Sequence, residues 1–344
     1  MSIFDLVTSE AITAYWESRP ENAMPYLGRE LFPEQQKLGL DIKWVKGANG
    51  LPVVLKPSAY DVAAKKRDRI GFEKLQAQMP FFKEATYIDE ELRQQLNMVL
   101  ETGNQAYIDS IMVQIFNDEA NLIEGAAAQR ERIRMMALTT GAVSISANGQ
   151  DYDYDYGMPS DHKKTVNVSW SNPDATIIDD IRNMQDKIEQ DTGVRPSRAI
   201  ANTKVMGYLR KNKELRQAIN GTDSTAPVSD SKIVSYIMDE LKLQIVIYSK
   251  KYIDEAGHEQ NYVDDDIFVM FPKGKLGTGW FGTTPEQSDL MSGSAANVSI
   301  TDTGVAVTTS KKVDPVNVET KVSMIYLPSF EAANQVGILS VVTG

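Results

Sequence analysis

NQAYIDSIMVQIFNDEANLIEGAAAQRERIRMMAL, residues Asn104 to Leu138, is the stretch on which the fold turns. Apolar residues recur at Tyr107/Ile108, Ile111/Met112, Ile115/Phe116, Leu122/Ile123, Ala126/Ala127, Ile133 and Met136/Ala137. That is a helical period sustained over many turns. It runs back through Ile88, Leu92, Leu96 and Val99/Leu100, with Thr102-Gly103-Asn104 as its weak point. Two helices are expected, the second about 50 Å long at about 1.5 Å per residue. Asp109, Asp118, Glu119 and Glu124 come first and Arg130, Arg132 and Arg134 last, as the helix dipole favours. A helix this long must lie across a large structure or join a coiled coil. Its stripe lacks clean heptads with paired charges, so a spine lying on a sheet is expected.

Upstream, residues 1–35 carry isolated apolar residues among acids, and Pro20, Pro25 and Pro33 interrupt any long helix. Such a segment must lie along its own chain or a neighbour's. Residues 36–85 hold short β-like runs, Ile42–Val45 and Leu51–Leu55, between glycines and prolines, which reads as an extended hairpin. From Asp41 to Lys74 there are eight basic residues, including Lys65, Lys66, Arg67 and Arg69, against four acids, about +4. Residues 1–35 come to about −4. The hairpin is either a solvated charged loop or a basic arm that docks on an acidic surface of a second copy.

Downstream, Ala142–Ala147, the turn Asn148-Gly149 and the alternating Asp151–Tyr156 predict a β-hairpin. A further strand is expected over Lys163–Trp170. Asn172 is the expected cap, and Pro173 the first residue, of a helix running to Gln190 and stopping near Gly193. An α/β region follows: strand Arg198–Ala201, helix Lys204–Ile219, helix Asp230–Leu241, strand Leu243–Tyr248, a turn at Glu255-Ala256-Gly257 and strand Ile267–Phe271. After Gly274–Gly279 the chain reads as loop-rich. Strands Val316–Leu327 and Gly337–Val342 are expected to rejoin the sheet of residues 139–172.

The chain has 344 residues, 36 Lys plus Arg against 47 Asp plus Glu, a net charge of −11, no cysteine and two histidines, His162 and His258. Without cysteine there is no disulfide, thiolate zinc site, cysteine nucleophile or iron–sulfur cluster. Two histidines are too few for most histidine-based catalysis or metal binding. The negative balance argues against a general nucleic-acid binder. No apolar run approaches a membrane span, and Met1–Leu6 lacks a signal-peptide pattern.

Asp-Thr-Gly occurs at Asp191–Gly193 and Asp302–Gly304, as in the paired loops of aspartic proteases, but the first follows a helix and the second lies in a Thr/Ser/Gly-rich hairpin. Both are expected to be turns. Asp151, Asp153 and Asp155 fail the calcium-loop spacing, because Tyr156 precedes Gly157 and His162 takes the twelfth place. Asp264-Asp265-Asp266 is a weak cation candidate. Trp280 and Phe281, after a glycine-rich stretch, are either exposed interface aromatics or core. No catalytic, cofactor-binding or metal-ligating constellation emerges. A soluble assembly subunit is favoured over an enzyme.

The order of these pieces resembles the tailed-phage major capsid (head) proteins, specifically the lambda-E-type family of the Hong Kong 97-like fold. Val166–Ile181 resembles that family's tryptophan-then-helix start of the axial domain. Lys242–Ile253 resembles its strand into a hairpin, and Asp265–Gly282 its strand followed by a glycine-rich loop. The resemblance implies an α+β fold: an N-terminal arm (1–35), an extended loop or E-loop (36–85), a peripheral β-sheet domain with the spine helix (86–172 and 313–344) and an α/β axial domain (173–312). It implies a non-enzymatic subunit without cofactor. Copies would form hexamers and pentamers of the icosahedral virion head, built in the host bacterial cytoplasm around double-stranded DNA held without sequence-specific binding. The E-loop would lie over a neighbour and the arm beneath others. Inter-subunit contacts are expected from Lys65, Lys66, Arg67, Arg69, Trp280 and Phe281. Partners implied are a separate scaffolding protein, a portal and a decoration protein. Some members of the fold cross-link a loop lysine to an asparagine; Lys65 and Lys66 are candidate donors, but no acceptor is identifiable and no cross-link is expected. Rival readings are an encapsulin-like cellular shell, a paired-Asp hydrolase through Asp191 and Asp302, and an adhesin or tail β protein, which the long helix argues against.

Overall fold

The structure is a computed structural model that describes residues 6–19, 26–46, 73–88, 90–102, 104–147, 149–221, 226–291, 297–313 and 316–343. The chain forms two compact units. The first comprises Met1–Ile42, Ala77–Ile133 and Thr278–Ser329; the second comprises Lys43–Gln76, Arg134–Gly277 and Phe330–Gly344. These cut the chain at different points from the expected domains. Residues 278–312, expected in an axial domain, join the first unit, and residues 139–172 share the second unit with the α/β region.

The first unit opens with helices α1 (Ser9–Glu17) and α2 (Leu27–Leu31) and strand β1 (Glu34–Gln36). Strands β2 (Asp41–Lys46) and β3 (Glu73–Gln78) pair with each other. Then come β4 (Phe81–Tyr87), helix α3 (Glu90–Thr102) and the long helix α4 (Gln105–Thr140), broken from α3 where Thr102-Gly103-Asn104 predicted. The sheet runs β1-β13-β16-β15-β14, with β13 (Thr278–Phe281), β14 (Asn297–Thr301), β15 (Val305–Val313) and β16 (Val316–Ser329); β4 pairs with β16 beside β13. The loop-rich expectation for residues 278–312 was wrong. Ser, Thr and Gly dominate its composition, but alternate residues Val305 and Val307, with Phe281, are fully buried, and burial overrides the polar composition. Along β16, Val318, Thr320, Val322 and Met324 form one buried row.

In the second unit, β5 (Ala142–Ala147) and β6 (Gln150–Asp155) form their own hairpin at the expected turn. A five-stranded sheet follows in the order β7-β17-β12-β8-β9: β7 (Lys163–Thr165), β17 (Gly337–Ser340), β12 (Ile267–Phe271), β8 (Arg198–Ala201) and β9 (Gln244–Ile247). The expected single sheet of residues 139–172 and 313–344 therefore divides. The hairpin stands apart, β17 pairs with β7 and β12, and β16 belongs to the first unit. Helices α5 (Ile177–Thr192), α6 (Thr203–Lys211), α7 (Lys213–Asn220) and α8 (Asp230–Leu241) pack Ile181, Met184, Val205, Leu209, Ile233 and Ile237 with Phe268 and Met270 of β12 in one core. Hairpin β10 (Lys251–Ile253) and β11 (Glu259–Asn261) turns where expected. The last helix, α9 (Pro285–Met291), belongs to the first unit.

Two local departures have clear causes. The strand expected over Lys163–Trp170 stops at Thr165, and α5 starts at Ile177 instead of Pro173. Asn172 instead folds an Asx turn, its Oδ1 accepting the Asp174 N–H at 3.0 Å. The expected helix Lys204–Ile219 breaks at Asn212. That side chain is fully buried, caps α7 through the Leu215 N–H (3.0 Å) and donates to the Ala175 carbonyl (2.7 Å). Gly193 ends α5 at φ 73°, as its position predicted.

Gly337 of β17 lies against α5 so closely that a Cβ there would meet Ile188 Cδ1 at 2.6 Å and Met184 Cγ at 2.8 Å. Gly337→Ala is expected to destabilise the chain by about 1–3 kcal/mol through overpacking, read by urea denaturation.

Candidate functional site

An assembly subunit works through its surfaces and through the struts that hold them. Paired β2 and β3 form the base from which residues 47–72 depart. Lys65, Lys66, Arg67 and Arg69 fall in that span, outside the described residues.

The described parts of the N-terminal segment are fastened to their own unit. In α1, Ile12 is fully buried, the Tyr15 ring stacks on Phe116 of α4 at 5.5 Å, and the Tyr15 hydroxyl donates to Asn117 Oδ1 at 2.7 Å. Ser9 Oγ donates to Asn297 Oδ1 of β14 at 2.6 Å. In α2, Leu31 is buried, as is the following Phe32, and β1 pairs in parallel with β13.

The strongest electrostatic feature of the first unit sits where β1, α4 and the β14–β15 turn meet. Arg130 Nη1 donates to Glu34 Oε1 at 2.9 Å and Nη2 to Asp302 Oδ2 at 2.7 Å. The three side chains are only 3%, 4% and 11% exposed. Arg29 approaches both carboxylates from the solvent side at 3.5 and 3.8 Å, and Thr303 Oγ1 donates to Glu34 at 3.3 Å. Asp302 takes a left-handed backbone, φ 48°, which Asp tolerates better than most residues.

Phe281 is part of this core. It is fully buried, 5.1 Å from the Tyr326 ring and 5.5 Å from the Arg130 guanidinium. It is therefore corrected from interface candidate to core residue: it lies on strand β13, which turns it inward. Trp280, on the opposite face of that strand, is half-buried and donates its indole N–H to Ser329 Oγ at 3.0 Å.

Sequence reasoning missed the exposed apolar residues on the helices. Met98 of α3 and Tyr107 and Val113 of α4 are 61%, 64% and 47% exposed, although the period counted Tyr107 as part of the buried stripe. Residues 90–124 carry seven acids (Glu90, Glu91, Glu101, Asp109, Asp118, Glu119, Glu124) against Arg93 alone. All of these acids but the buried Glu119 are exposed, which makes an acidic surface with apolar spots. On the second unit Ile253, in hairpin β10–β11, is 74% exposed and Ile247, on edge strand β9, is also exposed. A shallow pocket of about 360 Å³ opens between α7 and α8, lined by Ile219, Lys232 and Tyr236 among others.

The remaining candidates are accounted for locally. Asp191 accepts from Lys187 and faces buried His162 Nε2 at 3.0 Å, and the Lys187 ammonium holds its carboxyl below the usual range. Asp302 serves Arg130, so each Asp-Thr-Gly carboxylate has its own ion pair. Asp265 Oδ1 accepts from Asn202 at 2.8 Å and Oδ2 from Lys204 at 3.3 Å. Asp155 accepts the Gly157 N–H at 2.8 Å. Among the described residues no cluster of three metal-ligating side chains occurs, and no helix is long and apolar enough to cross a membrane.

The fold matches a protein assigned as the capsid protein of a prophage of E. coli CFT073, with TM-score 0.63, 16% identity, and 98% and 99% of the two chains covered. It matches a phage-related protein from Bordetella bronchiseptica RB50 (TM-score 0.59, 11% identity, 97% of each chain). It also matches a chain of the cyanophage A-1(L) capsid (TM-score 0.54, 10% identity, 93% of each chain). At these identities the likeness is one of fold. No curated protein matches the chain in sequence. The model of the family described as phage major capsid protein E matches residues 8–339, nearly the whole length. The chain therefore belongs to the phage major capsid protein E family and is a capsid shell protein of the Hong Kong 97-like fold.

Proposed function

We propose that copies of this chain assemble as hexamers and pentamers into the icosahedral head of a tailed bacteriophage, in the host cytoplasm, around double-stranded DNA. Family membership over residues 8–339 is the observation that carries this proposal. The role is structural, as the family implies. A net charge of −11 suits a container whose wall must let a packaged genome slide, because a basic lining would hold phosphate. A separate scaffolding protein, a portal and a decoration protein are the proposed partners. Particles recovered from phage-producing cells should hold nuclease-protected double-stranded DNA. Particles filled with protein cargo and free of DNA would replace the phage head with an encapsulin-like shell.

The charge split supports a role for the loop. Residues 47–72, between β2 and β3, carry about +3, while residues 90–124 of α3 and α4 carry six exposed acids against one base. We propose that the basic loop of one copy docks on the acidic helix surface of another. Replacing Lys65, Lys66 and Arg67 together by Glu is expected to reduce particle yield at least about ten-fold, the effect of losing roughly 1.4 kcal/mol of contact free energy. The circular dichroism of the unassembled chain should not change. Normal particle yield from the triple variant would refute the docking role.

A further inference from the structure

Glu119, midway along α4, is a buried acid that shell assembly leaves unexplained. Its residue is 2% exposed. Its carboxyl faces the buried row of β16 at Thr320, and strand register extends that row to Thr309 of β15 and Thr86 of β4. The Thr320 hydroxyl approaches the carboxyl, yet neither Glu119 Oε2 nor Thr320 Oγ1 completes a hydrogen bond.

Among the described side chains no cation compensates it. Asp118, next along the helix, is the charge that reaches it, and it is a like charge. On β16, Glu319 and Lys321 occupy the opposite face, where Lys321 pairs with Glu286 of α9 at 2.6 Å. Glu84 of β4, which is exposed, pairs in register with Val322 on the Thr320 face, and Lys311 of β15 pairs in register with Val318. Alongside, α1 brings exposed Glu10 and also Glu17, which accepts from Thr301 at 3.3 Å.

We propose that Glu119 is a proton-operated seat for the long helix. Protonated, it packs as a neutral group on the threonine row. Ionised, it draws water or a cation into the seam and loosens this part of α4 from the sheet. A buried carboxylate with an unpartnered oxygen is costly when ionised, whereas its acid form carries one O–H for the neighbouring hydroxyl and no charge. Burial pushes Glu119 up to about 7 from its ordinary 4.5; the Thr320 hydroxyl opposes this and Asp118 adds to it. The folded chain thus holds this proton more tightly than the unfolded one. The stabilisation is complete below about pH 4.5 and is lost as pH rises through about 7. A shift of that size bounds the effect at about 300-fold in the folding equilibrium by pH 8.

The proposal concerns the single chain and goes beyond assembly. Hydrogen exchange of the full chain at about pH 5.5 and about pH 8, corrected for the chemistry of the amides themselves, tests it. Peptides over residues 112–126 should lose at least about ten-fold protection at the higher pH in the wild type, and less than about two-fold in Glu119→Gln. No loss in the wild type, or an equal loss in both, overturns it. If Glu119→Gln fails to fold, Thr320→Val decides. Removing the hydroxyl that favours the ionised form must move the midpoint of the loss to higher pH, and an unchanged midpoint overturns the proposal.

Discussion

Arg130→Met is expected to cost about 3–5 kcal/mol of folding stability, because it leaves two buried carboxylates without their cation. Arg130 bridges Glu34 and Asp302 at 2.9 and 2.7 Å, with all three side chains nearly removed from water. Methionine fills much of the same volume, so the loss would come from charge more than from packing. Arg29 lies farther from both acids, at 3.5 and 3.8 Å, and is half-exposed, so it can replace Arg130 only in part. The variant should also free β1, because Glu34 begins that strand, and should release the strained turn at Asp302. Urea denaturation of the unassembled chain measures the cost. Adding Glu34→Gln and Asp302→Asn to Arg130→Met should recover most of it, since no charge then stays buried. If Arg130→Met unfolds at the wild-type midpoint, the cluster is not a structural lock.

Trp170→Ala is expected to cost a similar amount, about 3–5 kcal/mol. Trp170 is 1% exposed, its ring lies 5.4 Å from Phe268 at the centre of the second unit, and its indole N–H donates to Asp180 Oδ2 at 2.9 Å. Trp170→Phe separates the two contributions. It keeps most of the apolar area and loses the donor, so about 1–2 kcal/mol should go. The pH dependence gives a second readout. Burial raises the Asp180 carboxyl above its ordinary value, and the Trp170 N–H opposes that rise. Without the indole the folded-state value climbs further. The cost of Trp170→Phe should therefore grow as pH rises through the raised folded-state value of the wild type and level off above the still higher value of the variant. A cost that does not change with pH would mean that the hydrogen bond contributes nothing.

What the sequence made legible follows from the physics of each element. The long helix was readable because one apolar stripe survives over many turns, and its break at Thr102-Gly103-Asn104 coincides with a local loss of helix-forming residues. Strand Arg198–Ala201, helix Asp230–Leu241 and strand Ile267–Phe271 were readable to the residue because apolar runs end on polar ones. Strands β13 to β15 were not, because their Ser, Thr and Gly content describes a loop, while the partners that bury Phe281, Val305 and Val307 lie far along the chain. Asn212 carried a usable signal, an Asn before Lys213-Glu214, but an unbroken period hid it. The Arg130 cluster was invisible in one dimension: Glu34, Arg130 and Asp302 are separated by 96 and 172 residues. Among the interface candidates, Phe281 was misassigned because neighbouring residues on a strand face opposite sides, and the loop bases lie outside the described residues.

Negative-stain imaging of the purified chain, alone and with the proposed scaffolding protein, tests the shell assignment most directly. Closed shells, tubes, or rings of six and five subunits are the predicted result. A strict monomer under every condition, scaffold included, would contradict it.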